Sequence, residues 1–249
     1  MTRLVRFLAV AALAGCATPP PQGPHLTADT RLRVADAAAA SGDVALAASL
    51  YAAAAASAPQ DKMVQLRAAA ALARAGRLGE ARQVLAARLK ADPADPDALR
   101  ARAALDIGEG RADEALAALA TAPDSPATLA DRAVALDLQA RHDAAQALYR
   151  RALRTAPDDA AIRNDLALSL LLQGRVREAI AVLAPLAESA SLPARARATL
   201  ALLYALDGQA DRSRDLLGWP LARDYVAQVA RAVAGADQPL VAPAVRPAM

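Results

Sequence analysis

The sequence predicts an all-α protein, a solenoid of about six stacked helical hairpins closed by a C-terminal capping helix, and three observations carry that prediction. Alanine and leucine dominate a chain of 249 residues that is 55% hydrophobic yet only 2% aromatic. Both are strong helix formers, while strand-favouring residues are scarce. Glycines recur 34 residues apart, at Gly42, Gly76 and Gly110 and again at Gly174 and Gly208, with Ala140 holding the same phase 34 residues before Gly174. Small residues keep that register on both sides of the turn. Ala35, Ala69, Ala103, Ala133, Ala167 and Ala201 lie seven residues before it, and Ala47, Ala81, Ala115, Ala145, Ala179 and Ser213 lie five after. One hairpin cannot bury its apolar face alone, whereas stacked hairpins make a continuous core.

Taken in order, residues 1–15 read as a signal peptide. Arg3 and Arg6 give a positive start, and residues 7–14 form an apolar stretch. That stretch is too short to span a bilayer, which needs about 20 apolar residues, but it suits a secretory signal. Leu13, Ala14, Gly15 and Cys16 resemble the bacterial lipobox, in which Cys16 is lipidated and becomes the first mature residue. The alternative is an ordinary signal peptide with an incidental cysteine. Cys16 is the only cysteine of the chain, so it has no intrachain disulfide partner. In lipoproteins of this kind a following residue other than aspartate, here Ala17, implies sorting to the outer membrane. Residues 16–27 then form a lipidated, proline-rich tether, since consecutive prolines favour extended polyproline II.

The solenoid covers residues 28–221, with units starting near residues 28, 62, 96, 126, 160 and 194. In each unit a helix runs into a turn that reverses the chain, and a second helix follows. Glu80, Asp113 and Glu178 sit near the positive N-termini of three second helices. Pro59, Pro93 and Pro157 close the first, second and fourth units. The third unit is four residues short, because Pro123 arrives directly after Ala122. Its second helix should end about a turn early, either bending the superhelix and dividing it into two lobes or as a tolerated deletion. Residues 222–235 read as a capping helix, with Trp219 at the junction, and residues 236–249 as a disordered tail.

The chemistry of common enzymes is missing. There is no phosphate loop, no GxSxG elbow, no HExxH motif and no CxxC pair. Two histidines, His25 and His142, and one cysteine leave too few ligands for an ordinary zinc site. No catalytic residue, metal or cofactor is assigned. The net charge of +3 would fall to +1 on loss of Arg3 and Arg6, and acids and bases are interspersed. Without a basic stripe, nucleic acid is not an expected partner.

The 34-residue register, its alanine columns and the run Ala145, Tyr149, Ala152, Pro157 resemble tetratricopeptide repeats. The bulky aromatic expected early in each first helix is absent. The resemblance implies a right-handed superhelical solenoid whose first helices line a concave groove that binds a protein partner, as a helix or peptide segment. In the fifth unit's first helix Leu166, Ala167 and Leu170 face the stack, while Leu168, Leu171 and Leu172 share another face with Asn164. Val134, Asp137 and Leu138 of the fourth unit and Leu202 and Leu206 of the sixth extend that face into a candidate partner-binding groove. A capping helix, a dimer or simple curvature would hide it instead.

Residues 164–187, followed by Ala194, Arg195, Ala196, Arg197 and residues 199–208, are similar to the TadD lipoproteins of the tight adherence (Flp) pilus system. That resemblance implies a lipid anchor in the outer membrane, on its periplasmic face, and a scaffold for a secretin or another pilus component. The alternatives are a lipoprotein scaffold of another envelope machine, for outer-membrane protein insertion or polysaccharide export, or a regulator that docks peptidoglycan enzymes.

Overall fold

The computed structural model describes residues 27–187 and 192–217, and among them the chain forms twelve α-helices and no strand. The predicted signal peptide, Cys16, most of the tether, Trp219, the capping helix and the tail lie outside these residues. No helix among the described residues is long and apolar enough to cross a membrane.

The helices pair as predicted. They are α1 (Ala28–Ala40) with α2 (Val44–Ser57), α3 (Lys62–Arg74) with α4 (Leu78–Ala91), α5 (Pro96–Gly108) with α6 (Ala112–Leu119), α7 (Pro126–Leu138) with α8 (His142–Thr155), α9 (Ala160–Leu172) with α10 (Val176–Ala187), and α11 (Ala194–Leu206) with α12 (Ala210–Leu217). Each odd-numbered helix has 13 residues. Five of the six starts are set by side-chain caps, with Thr27, Asp61, Asp95, Ser125 and Asp159 each accepting a hydrogen bond from a backbone amide of the first turn, while α11 follows Pro193 without one. Their ends are set by the turn position. The amide one residue beyond it reaches back five residues to bond a helix carbonyl, as from Arg77 to Leu72, Arg141 to Leu136 and Arg175 to Leu170, each at 2.9 Å. That geometry needs a left-handed residue. Gly174 supplies it at φ 73°, and Ala140 adopts φ 57° in the same role.

Every member of both small-residue columns is buried. A third column packs nine residues beyond the turn position, where Tyr51, Leu85, Leu119, Tyr149 and Leu183 are all buried. Small residues let the paired helices cross closely, and the large residue fills the space beside each crossing.

Polar bonds stitch each unit to the next. Arg77 Nη1 donates to Ser49 Oγ at 3.1 Å, Gln139 Nε2 to Asp113 Oδ1 at 2.7 Å, Gln146 Nε2 to Gln173 Oε1 at 2.8 Å and Arg177 Nε to Asp207 Oδ1 at 3.1 Å. The absent aromatic column also has a replacement. Gln65 donates to the carbonyls of Ala55 and Ala58 at 2.9 and 3.2 Å, Arg163 to that of Pro157 at 2.9 Å, and Arg197 to that of Leu192 at 3.2 Å. All three occupy the position of the missing aromatic. Each donates to a carbonyl at the end of the preceding helix or in the loop after it, which pins the unit to its predecessor.

The third unit departs as the sequence indicated. Helix α6 has 8 residues, against 14 in α2, α4 and α8. Arg132 of α7 reaches the carbonyls freed by this truncation, donating to Leu119 O and Ala122 O at 2.8 Å each, and it also pairs with Asp124. The core divides at the same place. One buried cluster spans α1 to α4 with Leu105, another spans α7 to α11, and only Leu99, Ala103, Ala115, Leu119, Ala122 and Ala135 form the small cluster between.

Two predictions follow from this layer. Ala140 holds a left-handed conformation that costs an L-residue about 1 kcal/mol. Ala140→Gly should therefore raise stability by about that amount, and Gly174→Ala, where a Cβ would meet nothing within 4 Å, should lower it similarly in denaturant melts. The second concerns Asp95, fully buried at the cap of α5. Burial would raise its pKa, but bonds from Lys62 at 3.0 Å, Arg88 at 2.7 Å and the Ala98 and Asp97 amides outweigh it and bring the value down to about 2. A depressed carboxyl stabilises the fold above its unfolded value and loses that contribution as pH falls through the folded one. Asp95→Asn should cost about 2 kcal/mol at neutral pH, and the gap from wild type should close between about pH 4 and pH 2.

Candidate protein-binding face

The first helices α7, α9 and α11 lie side by side. Residues spaced i, i+3 and i+7 share one helical face. On α7 these are Asp131, Val134 and Leu138; on α9, Asp165, Leu168 and Leu172; on α11, Thr199, Leu202 and Leu206. Each set is 34 residues from the next, so the three helices present aligned stripes, polar at one end and apolar at the other. The equivalent positions in the first three units are Arg33, Asp36 and Ala40; Arg67, Ala70 and Arg74; and Ala101, Ala104 and Gly108. The apolar row is therefore confined to the C-terminal half.

The structure sorts the residues singled out from sequence. Leu172 is 64% exposed and Leu138 49%, the two exposed large apolar side chains described in the fourth to sixth units; Val34, Val44, Leu46 and Met63 are exposed in the first two units. Val134, Leu168, Leu202 and Leu206 are half-buried along the same row. Leu166, Ala167 and Leu170 are buried in the stack as expected. Leu171 differs from its expected place on the open face: it is half-buried and packs against the core cluster, because it falls one residue off the stripe.

Asp137 is not a free polar marker. It accepts from Ser169 Oγ at 2.7 Å and His142 Nδ1 at 2.8 Å, and it lies near enough to the buried Tyr149 to act on its hydroxyl. Burial raises the Tyr149 pKa, and the charges of Asp137 and Asp165 add to that shift. This network ties α7 to α8 and α9. Asn164 is not an open polar edge either, being only 2% exposed. Its Nδ2 donates to Asp165 Oδ1 at 3.3 Å, and its Oδ1 has no partner.

Sequence reasoning passed over Asp131 and Asp165, although their 34-residue separation was the available signal. Asp131 accepts from Arg100 Nε at 2.6 Å, and Asp165 lies 3.6 Å from Arg195 Nη2. Burial nevertheless pushes both carboxyls above the ordinary range. A shallow hollow at the next turn, lined by Gly174, Arg175, Val176, Arg177, Glu178, Leu206 and Asp207, touches this face only through Leu206. Among the described residues no group of three His, Cys, Asp or Glu side chains could hold a metal ion. What the face offers is contact area, with a row of apolar side chains beside buried carboxylates.

Residues 138–203 match the tetratricopeptide repeat family. In fold, the chain is similar to a tetratricopeptide repeat protein from Parabacteroides merdae, at 13% identity over 84% of this chain and 86% of that one, with a TM-score of 0.69. It is also a tetratricopeptide-repeat solenoid by architecture. PilW, described as a widely conserved type IV pilus biogenesis factor, aligns with a TM-score of 0.65 at 16% identity, over 83% of this chain and 98% of PilW. PilF of Pseudomonas aeruginosa aligns at 0.58 and 13% identity, over 81% and 97% of the two chains. No curated protein sequence matches the chain.

In this tetratricopeptide solenoid the exposed row and the core are one residue apart in kind, which makes them separable. Leu172→Glu should change stability by no more than about 0.5 kcal/mol, as at other surface positions. Leu170→Glu, at a site 1% exposed, should abolish cooperative melting, because it buries an unpaired charge. Circular dichroism melts of the two variants decide it.

Proposed function

We propose that this chain is a membrane-anchored scaffold that holds a segment of a pilus or secretion machine against the first helices of its fourth to sixth units. The observation that carries the reading is the apolar row itself. Leu138 and Leu172 stay exposed at matching positions of adjacent first helices, whereas the other exposed large apolar residues, Val34, Val44, Leu46 and Met63, fall in the first two units off this stripe, and a row across adjacent helices suits a partner helix or peptide. The lipobox-like run ending at Cys16 supports anchoring, with acyl chains on the cysteine supplying the membrane attachment. Ala17 after it favours the outer membrane, on the periplasmic face. The TadD-like sequence of residues 164–208 favours a secretin or another pilus component as the partner. Two fold relatives, PilW and PilF, come from pilus biology and agree with that choice at the level of architecture.

The anchor and the partner are tested together. Wild-type protein should carry acyl chains on Cys16 by mass spectrometry, and Cys16→Ser should leave the membrane fraction. A photo-crosslinking residue placed at Leu172 in cells should label a secretin subunit or pilus component, and one placed at Arg177, on the neighbouring second helix, should not. Labelling confined to cell-wall enzymes or to the outer-membrane insertion machinery would overturn the pilus assignment.

A further inference from the structure

The polar ends of the stripes on α7 and α9 differ from the acids at two other junctions, Asp95 and Asp124. Asp95 and Asp124 each meet two basic side chains, and their carboxyls are held below the usual range. Asp131 and Asp165 occupy equivalent positions on adjacent helices, near enough that the charge of one acts on the other, and burial leaves both above that range. Each has one arginine. That of Asp165 is a loose one: Arg195 lies 3.6 Å away, beyond hydrogen-bond reach, with its side chain 76% exposed. A rim pair of that kind contributes little and is readily exchanged.

Asn164 adds an independent sign of a missing ligand. It is buried beside Asp165, donates one amide hydrogen to that carboxylate, and leaves Oδ1 with no donor. Turning the amide over would set its oxygen against a carboxylate oxygen, so the orphan is the carbonyl. A buried acceptor without a donor is costly, and the neighbouring carboxylates call for positive charge. A metal ion does not fit, since no three ligating side chains converge there among the described residues.

The geometry points to a partner segment that carries a lysine or arginine, whose cationic head enters between Asp131 and Asp165 against the Asn164 carbonyl while apolar residues beside it lie on Leu138, Leu168 and Leu172. This rests on the reading of the inner face as the binding surface and specifies the chemistry of what binds. The partner is thus amphipathic, with apolar residues along one edge and a base on the other. Arg195 occupies the cation's place loosely until the partner displaces it.

The test uses the full-length chain in detergent and a random 16-residue peptide display library as probe. Selected peptides should pair a Lys or Arg with neighbouring Leu, Ile or Val, and should lose binding to Leu172→Glu. In one such peptide, replacing the base with Gln should weaken binding to wild type about tenfold, but should change binding to Asp165→Asn little. Arg195→Ala, which removes the competing cation without touching the acids, should tighten binding of the basic peptide several-fold. A purely structural role for Asp165 would not produce that gain. Peptides that need Leu172 but gain nothing from a base, or are indifferent to Arg195→Ala, would overturn the cation site and leave the groove standing. If no peptide is selected, or none depends on Leu172, the groove itself is wrong and this proposal falls with it.

Discussion

The whole architecture rests on how closely two helix backbones can approach at each crossing. Twelve positions, one on each helix, carry alanine or, at Ser213, serine, and all are buried. A larger side chain there would force the helices apart, and the displacement would propagate through every unit stacked on it. The large residues are placed elsewhere, in the column of Tyr51, Leu85, Leu119, Tyr149 and Leu183. Small and large columns alternate around each crossing, so interdigitation is set by position and needs few aromatic residues. A chain that is 2% aromatic can still build a filled core in this way.

Close crossing does not by itself satisfy the backbone at the junctions between units. There the chain uses hydrogen bonds where tetratricopeptide repeats place an aromatic side chain. Gln65, Arg163 and Arg197 donate to carbonyls at the end of the preceding unit. Arg132 does the same at the truncated α6, donating to the Leu119 and Ala122 carbonyls where the helix ends early. Such bonds are directional, whereas an aromatic plug can settle in several orientations. They fix the rotation between neighbouring units through defined geometry more than through buried area.

The fold was legible because repetition supplies several copies of the same evidence. One alanine in a helix says little, but six in phase with a turn residue locate a crossing, and the helix boundaries fall where that phase puts them. Ala140 illustrates its strength: the register required a left-handed turn there although the residue is not glycine. The candidate face was legible only in part. Leu138 and Leu172 could be placed by helical spacing, but Leu171, one residue away, turned inward. Asp137 was misleading for a physical reason, since its partners Ser169 and His142 come from two other helices that only the folded chain brings to it. The unmet acceptor of Asn164 is a property of packing and leaves no trace in sequence.

The short α6 has a consequence for how the molecule holds together. In a linear array each unit touches only its neighbours, so stability is a sum of local terms and the weakest junction sets where cooperativity breaks. Here the two large buried clusters meet through a small one, and Leu116 is the side chain that packs against both it and the C-terminal cluster. The buried core is thus parted into two large clusters linked through a small one, so local opening of α6 would remove apolar contacts from that link before touching the cluster beneath the apolar row.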